Sequence, residues 1–510
     1  MDGGESVWTT VRATAPVAYR CDGGGWPSGS GGSGPVRVAD RGDGETKRFS
    51  AGGAGLRGWC QTDRMAARPD EPRTGTPGAG AAYSASPEET AAPTTPSAPS
   101  TPLDEAVPSA FAVTVDDVRA AQKTLEGVAR TTALEGSRYL TGLVGSPVHL
   151  KCENLQRTGS FKLRGAYVRI AGLSPEDRAR GVVAASAGNH AQGVALAAAL
   201  LGVRSTVFMP VGAPLPKVAA TRDYGAQVVL QGQVVDESLR AAEEYAAETG
   251  GVLIHPFDHP DVVAGQGTLG LEILEQCPEV RTIVVGVGGG GLAAGIAVAV
   301  KRFRPDVRIV GVQAEGAAAY PPSLAAGRPL ALDAMSTMAD GIKVGRPGDV
   351  PFEIVGALVD EVRTVSEDAL SSALLLCLER AKLVVEPAGA SSVAAVMSDP
   401  GAFEGPLVAV LSGGNVDPLV LQRTLRHGMA AAGRYLSLRL RLSDRPGALA
   451  ALLGELSVAD ANVLDVSHVR TEPRLGLDEV EVELHLETKG PEHCIELSAT
   501  LRAAGYTVVS

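Results

Sequence analysis

Two periodicities divide the chain. From about Phe111 short apolar, β-branched runs alternate with longer alanine-rich stretches; near Tyr435 this gives way to a strict apolar/polar alternation. In the first region Gly181 to Ala185, Thr206 to Pro210, Ala226 to Leu230, Thr282 to Val285 and Leu407 to Leu411 are short apolar runs bounded by turn residues. Such runs predict strands buried on both faces. The stretches AQGVALAAALLG, KVAATRDYG and GLAAGIAVAV between them read as helices. Strand–helix alternation of this kind predicts an α/β fold, a mostly parallel sheet with helices on both faces. Three of the strands run into polar or glycine-rich turns, SAGNH, GVGGGG and SGGN. Ligand sites of open α/β sheets lie at the carboxyl ends of strands, where these turns would gather.

The tail follows the other period. Leu436, Leu438, Leu440 and Leu442 alternate with polar residues, as in a half-buried strand. DRPGALAALLGELSVAD reads as a helix with Pro446 in its first turn. Asn462 to Arg470 is a second strand; Val480, Val482, Leu484 and Leu486 mark a third. Pro491 to Ala504 is helical and Tyr506 to Val509 a last strand. The order βαββαβ predicts a separate ferredoxin-like domain over 435–510.

Residues 1–105 show neither period. GGSG, PGAGAA and AAPTTPSAPSTP cannot bury enough apolar surface to offset chain entropy, so a disordered low-complexity extension is expected, with Met65 a candidate internal start. The α/β domain then spans 106–425, with a small lobe over roughly 181–258. Apolar residues make up 45% of the chain and charged ones 20%, an ordinary globular balance. The formal net charge of -12 argues against a nucleic-acid surface. The 6 cysteines (Cys21, Cys60, Cys152, Cys277, Cys377, Cys494) form no CxxC pair, which suits neither a disulfide framework nor a zinc site. No apolar run approaches the roughly 18 residues of a membrane span, and the N-terminus lacks a secretory pattern. A soluble, cytoplasmic chain with no membrane partner is the expectation.

Lys162 lies in KCENLQRTGSFKLRGA, after a Ser-Phe pair and between Gly159 and Gly165. An amine where the backbone turns tightly is open to desolvation, which lowers its pKa and frees it to form a Schiff base. A solvated surface lysine is the competing reading. Gly288 to Gly291 follow a strand and open a helix, so their N–H groups and the helix dipole suit a phosphate. A flexible turn and a dinucleotide site are the rivals, the latter with Glu315 as its one candidate ribose ligand. Ser186 to His190 join a strand to a helix; the N–H groups there suit a carboxylate, and the Asn189 amide a phenolate oxygen, unless the loop is simply a helix cap. His190 reads as an orienting residue rather than a base, since no triad or metal partner sits near it in sequence. Ser412 faces a heteroaromatic nitrogen or closes a turn. Glu386 in VEPAGASS orients a ring or caps the next helix.

The segments TGSFKLRGA, SAGNHAQG, GVGGGGL, VEPAGA and SGGN stand in the order found in fold-type II pyridoxal-phosphate enzymes. Over about residues 111–425 the chain most resembles the threonine/serine dehydratases, or threonine ammonia-lyases. The βαββαβ tail with DRPGAL resembles an ACT domain, an amino-acid-sensing module. The resemblance implies two open α/β lobes, with Lys162 carrying pyridoxal 5'-phosphate and acting as base at Cα. It implies Asn189 at the ring hydroxyl, Gly288, Gly289, Gly290, Gly291 and Leu292 around the phosphate, and Ser412 at the pyridine nitrogen. Ser186, Gly188, Asn189 and His190 would grip the substrate carboxylate. L-threonine would give 2-oxobutanoate and ammonia, L-serine pyruvate, at the entry to isoleucine biosynthesis or in threonine catabolism. Related serine racemases place a serine where this chain has Ala187, which predicts poor racemisation. A non-catalytic amino-acid sensor is the alternative from another class. In the tail, Asp444, Arg445, Gly447 and Leu449, with Asn462 and Asp465 near the amino group, would bind isoleucine or valine. A homo-oligomer, dimer or tetramer, and no metal ligands are expected.

Overall fold

The computed structural model describes residues 111–470 and 475–509; the extension predicted over 1–105 lies outside the described residues. Strands β1 (Leu134–Gly136) and β2 (Val148–Cys152) open a larger lobe. The chain then builds a smaller one from β3 (Val182–Ala185), β4 (Ser205–Met209), β5 (Gln227–Leu230) and β6 (Val252–Leu253). It returns with β7 (Thr282–Gly286), β8 (Arg308–Ala314), β9 (Glu361–Val365) and β10 (Leu407–Leu411). The larger sheet has the order β1-β2-β10-β7-β8-β9 and the smaller β5-β4-β3-β6. All pairings are parallel except β1 with β2. β7 and β10 are buried at every position, the physical meaning of their unbroken apolar runs.

Six helices of these lobes position the site: α1 (Lys162–Ala171), α2 (Asn189–Leu200), α3 (Leu215–Asp223), α4 (Pro260–Gln276), α5 (Gly291–Phe303) and α6 (Asp349–Leu358). α1 and α4 cross backbone to backbone. A Cβ on Gly265 would stand 2.7 Å from the Gly165 Cα, and one on Gly165 2.7 Å from the Val262 carbonyl oxygen. Only glycine allows so close a crossing, and it seats the helix that begins at Lys162.

Beneath that crossing lies a buried ionic cluster. Arg164, 1% exposed, donates to Glu153 Oε2 at 2.9 Å through Nε and to Glu272 Oε1 at 2.7 Å through Nη1. Lys151 reaches Glu272 Oε2 at 2.6 Å and the Thr132 carbonyl at 2.9 Å. Each charge is paired and hydrogen-bonded, the condition under which burying it is tolerable.

The tail forms β11 (Tyr435–Ser443), β12 (Asn462–Val469), β13 (Glu479–Glu487) and β14 (Thr507–Val508), antiparallel in the order β12-β13-β11-β14. Helices α7 (Ala448–Val458) and α8 (Pro491–Ala503) complete the βαββαβ order of a ferredoxin-like unit. One detail differs from expectation: Pro446 precedes α7 instead of occupying its first turn. The chain needs a left-handed residue to enter the helix, and Gly447, at φ 87, supplies it.

Candidate active site

Lys162 is the first residue of α1 and half-buried, its Nζ 2.9 Å from the Pro256 carbonyl oxygen and 5.1 Å from the centre of the Phe161 ring. Burial pulls the amine down to about 8, with the Glu386 carboxylate opposing it. Two contacts tie the lysine segment to the end of β10: Phe161 N–H donates to the Ser412 carbonyl at 3.2 Å, and Ser160 bridges to Gly413. Ser412 is thereby held next to the lysine turn, at the carboxyl end of its strand.

The loop Ser186 to His190 leads from β3 into α2. Ser186 Oγ accepts from Gly188 N–H at 3.1 Å, which rounds the turn. The first N–H groups of α2 have no acceptor within their helix, as at any helix start, and face the loop. The Asn189 amide is oriented by two partners. Its Nδ2 donates to Glu386 Oε1 at 2.6 Å, and its Oδ1 accepts from Asn415 Nδ2 at 2.8 Å. One Nδ2–H remains free for an anionic oxygen. Asn415 is itself fixed by the Thr158 carbonyl at 2.7 Å. Glu386, 2% exposed, therefore orients Asn189 through its side chain rather than capping a helix with it; its Oε2 is buried without a partner. Burial and the charge of Asp340 push the Glu386 carboxyl up to about 7, against Lys217, Asn189 and Lys162. The His190 ring is committed to the Ile254 carbonyl at 2.7 Å and held neutral by burial, down to about 3. What His190 offers a carboxylate is its backbone N–H.

Gly288 to Leu292 run from β7 into α5. Gly290 adopts φ 102, and a Cβ there would collide with the Tyr320 hydroxyl, which donates to the Gly289 carbonyl at 3.2 Å. The N–H groups of Gly288, Gly289 and Gly290 find no acceptor among the described residues. A run of N–H groups without protein acceptors at a helix start suits a phosphate.

The segment Ile254 to Asp258 was missed as a site element, although it holds three parts of the site together. Ile254 receives His190, Pro256 receives Lys162, and Phe257 packs its ring on Gly289 and its backbone and Cβ on Gly291. Asp258 accepts from the N–H groups of Asp349 and Val350 at 3.0 and 2.9 Å, capping α6 from the other lobe. The run HPFDHP carried a signal, polar groups around two prolines directly after a strand. Asn415 was also legible as the last residue of SGGN.

The arrangement joins a desolvated amine, a phosphate cradle, an oriented amide donor, a neutral hydroxyl and an unpartnered buried carboxylate oxygen. These donors fit an aromatic aldehyde that bears a phosphate and a phenolate, with Lys162 as its covalent anchor.

In the tail, Asp444, Arg445, Gly447 and Leu449 line a cavity of about 680 Å³, as do His468 and Arg470. Arg470 pairs with Asp444 at 3.2 Å. The structure does not bring Asn462 and Asp465 there. Asn462 pairs opposite Glu487 and Ser443 opposite Glu479, so they lie at opposite ends of β13. Asn462 bonds to Glu487, and Asp465 to the N–H of Val466.

A family model described as pyridoxal-phosphate dependent enzyme matches residues 125–413. An L-threonine ammonia-lyase of Thermotoga maritima is 47% identical over 396 residues, covering 78% of this chain and 99% of that protein. A match of that length extends well beyond residues 125–413. The catabolic L-threonine dehydratase of Escherichia coli K12 is 43% identical over 308 residues, 60% of this chain and 94% of its own. Among solved structures, a threonine deaminase from T.th. superposes with a TM-score of 0.57 at 44% identity, covering 60% of this chain and 99% of that one. Maize serine racemase gives 0.59 at 36% identity, covering 62% and 97%.

Proposed function

Since this chain belongs to the pyridoxal-phosphate-dependent enzymes, we propose that it is a threonine ammonia-lyase, converting L-threonine to 2-oxobutanoate and ammonia, with L-serine as a second substrate. The observation that carries the reading is the desolvated Lys162 amine, joined through Pro256 and Phe257 to a run of glycine N–H groups without an acceptor among the described residues. Gly288 to Leu292 would hold the phosphate, Asn189 the ring hydroxyl and Ser412 the ring nitrogen. When bound, the cofactor supplies an electron sink for charge developing at the substrate Cα. Ser412, a neutral group, would leave that sink weaker than a carboxylate would, which suits elimination of the β-hydroxyl. The N-terminal N–H groups of α2 and the Ser186 turn bind the carboxylate. Lys162, with a lowered pKa, would serve as the base for the Cα proton.

Ala187 carries no proton donor for the opposite face. This supports elimination over the racemisation named for the maize relative; fast L-to-D interconversion of serine by the purified enzyme would overturn it. Keto-acid release from L-threonine and L-serine tests the main reading, and absence of both products sinks it. A non-catalytic sensor has no use for an amine kept at about 8.

Schiff-base formation needs the neutral amine, so the sign of the pH dependence follows. With Lys162 lowered to about 8, the neutral fraction falls as pH drops below that value and saturates above it. The rate at which cofactor-free enzyme regains the visible absorbance of lysine-bound pyridoxal phosphate is expected to rise about tenfold per pH unit below 8 and to level off above it. A profile flat from pH 6 to 9 contradicts a desolvated Lys162.

The tail is proposed to be an ACT domain binding isoleucine or valine in the Asp444–Leu449 turn, in a homo-oligomer. The cavity at that turn and the extent of the Thermotoga maritima match support it. Deleting residues 430–510 is expected to abolish inhibition by isoleucine; inhibition that survives the deletion places the effector elsewhere.

A further inference from the structure

Lys217 belongs to α3 of the small lobe, and no motif drew attention to it. It is 6% exposed, yet its ammonium makes one hydrogen bond, to Asp340 Oδ2 at 2.6 Å. Two of its three N–H donors are left without a protein acceptor, an expensive arrangement for a buried cation. Its surroundings locate those donors. A Cβ on Gly188 would stand 3.3 Å from both Cδ and Nζ of Lys217, so the lysine end lies against the loop that offers N–H groups to a carboxylate. Asp340, by contrast, is an exposed residue of the larger lobe, at the start of the turn Asp340–Ile342. The neighbouring Gly341 closes over the Asn189–Glu386 pair: a Cβ there would stand 3.5 Å from Glu386 Oε1 and 3.9 Å from Asn189 Nδ2. Lys217 thus stands between the carboxylate loop of one lobe and the cover of the ring site on the other. Lys151, the other buried lysine among the described residues, has all its partners in the ionic cluster.

We propose that Lys217 is a substrate-recognition residue: its ammonium, aimed at the Gly188 turn and steadied by Asp340, supplies the positive charge that receives the α-carboxylate of the amino acid. The backbone N–H groups of α2 provide direction, and Lys217 provides net charge. The inference deepens the reading of this site as an amino-acid site and rests on it. A side chain at Gly188 would crowd this contact, since its Cβ at 3.3 Å would make the lysine end give by a few tenths of an ångström.

The test compares Lys217→Gln with Asp340→Asn in the full-length holoenzyme. Lys217→Gln is expected to raise KM for L-threonine roughly 10- to 100-fold, the range of a lost charge-assisted hydrogen bond, with kcat changed far less. Asp340→Asn, which keeps the ammonium and removes its competitor, is expected to leave KM unchanged or lower it. Binding of 3-hydroxybutanoate and of its uncharged amide, measured by calorimetry, separates charge from packing: Lys217→Gln is expected to weaken the acid and spare the amide. Lys217→Arg, tested in case the glutamine variant fails to fold, is expected to retain most of the acid affinity. If both substitutions raise KM alike, or acid and amide weaken together, Lys217 merely joins the lobes and the proposal fails. If the wild type forms no keto acid but binds the acid through Lys217, the fault lies in the reaction assigned to the site and not in this residue.

Discussion

Replacing Lys162 with alanine is expected to remove keto-acid formation from L-threonine by roughly 10⁴-fold or more, since general-base transfer alone contributes about 10²–10⁴ and covalent anchoring is lost as well. The structure adds a second expectation. Lys162 is half-buried, its Nζ donating to the Pro256 carbonyl and lying over the Phe161 ring, so truncation removes little of the apolar core. The variant should therefore fold with an unchanged melting temperature while losing the visible absorbance of lysine-bound cofactor. A variant that keeps either the absorbance or the turnover assigns the covalent role to another amine. Because the cradle of Gly288 to Leu292 is built from backbone, the variant should still take up pyridoxal phosphate weakly, by its phosphate alone.

The largest effect on stability is expected from Glu153→Ala. This carboxylate is fully buried and accepts from Arg164 twice, at 2.9 Å each, and from Thr132 at 2.7 Å. Burial alone would raise its pKa, but the charge and hydrogen bonds of Arg164, with Thr132 and Lys151, outweigh it and hold the group below its ordinary value. Removing it leaves the Arg164 guanidinium half-compensated in the interior, which costs about 3–5 kcal/mol. The loss should appear as a lower denaturant midpoint with an unchanged slope. The sign of the pH dependence follows from the depressed folded-state value. Glu153 stabilises the fold fully above its unfolded pKa, about 4.3, and this contribution fades as pH falls through the folded value. Wild type and Glu153→Ala should then converge in stability toward strong acid; a gap that stays constant from neutral to acid pH argues against a paired carboxylate.

These two residues show how unevenly the molecule could be read. Lys162 was visible as one of five ordered motifs. Glu153 carried no local signal, because its meaning depends on Arg164 and Thr132 meeting it in the interior. The strands were legible for a simple reason. β7 and β10 are buried on both faces, and β11 alternates because one face packs on its own helices while the other meets solvent. Pro446 was misplaced because a helix start depends on one dihedral, the positive φ of Gly447, and composition reports that only statistically.

The site divides along the same line. The lysine turn, the glycine cradle and the start of α2 are each built from a contiguous stretch whose geometry follows from local chemistry: glycine where φ is positive, a small-residue turn between strand and helix. Those parts were written in the amino-acid order. Roles that depend on partners were not. Asn189 is oriented by residues 197 and 226 positions away, Lys162 meets a carbonyl 94 positions away, and Lys217 meets an acid 123 positions away. Asn462 likewise lies away from the tail cavity, because the antiparallel register of β12 sets it opposite Glu487. Backbone motifs carry their geometry with them, whereas the protonation, orientation and reach of a side chain come from whichever distant strand or helix packs against it.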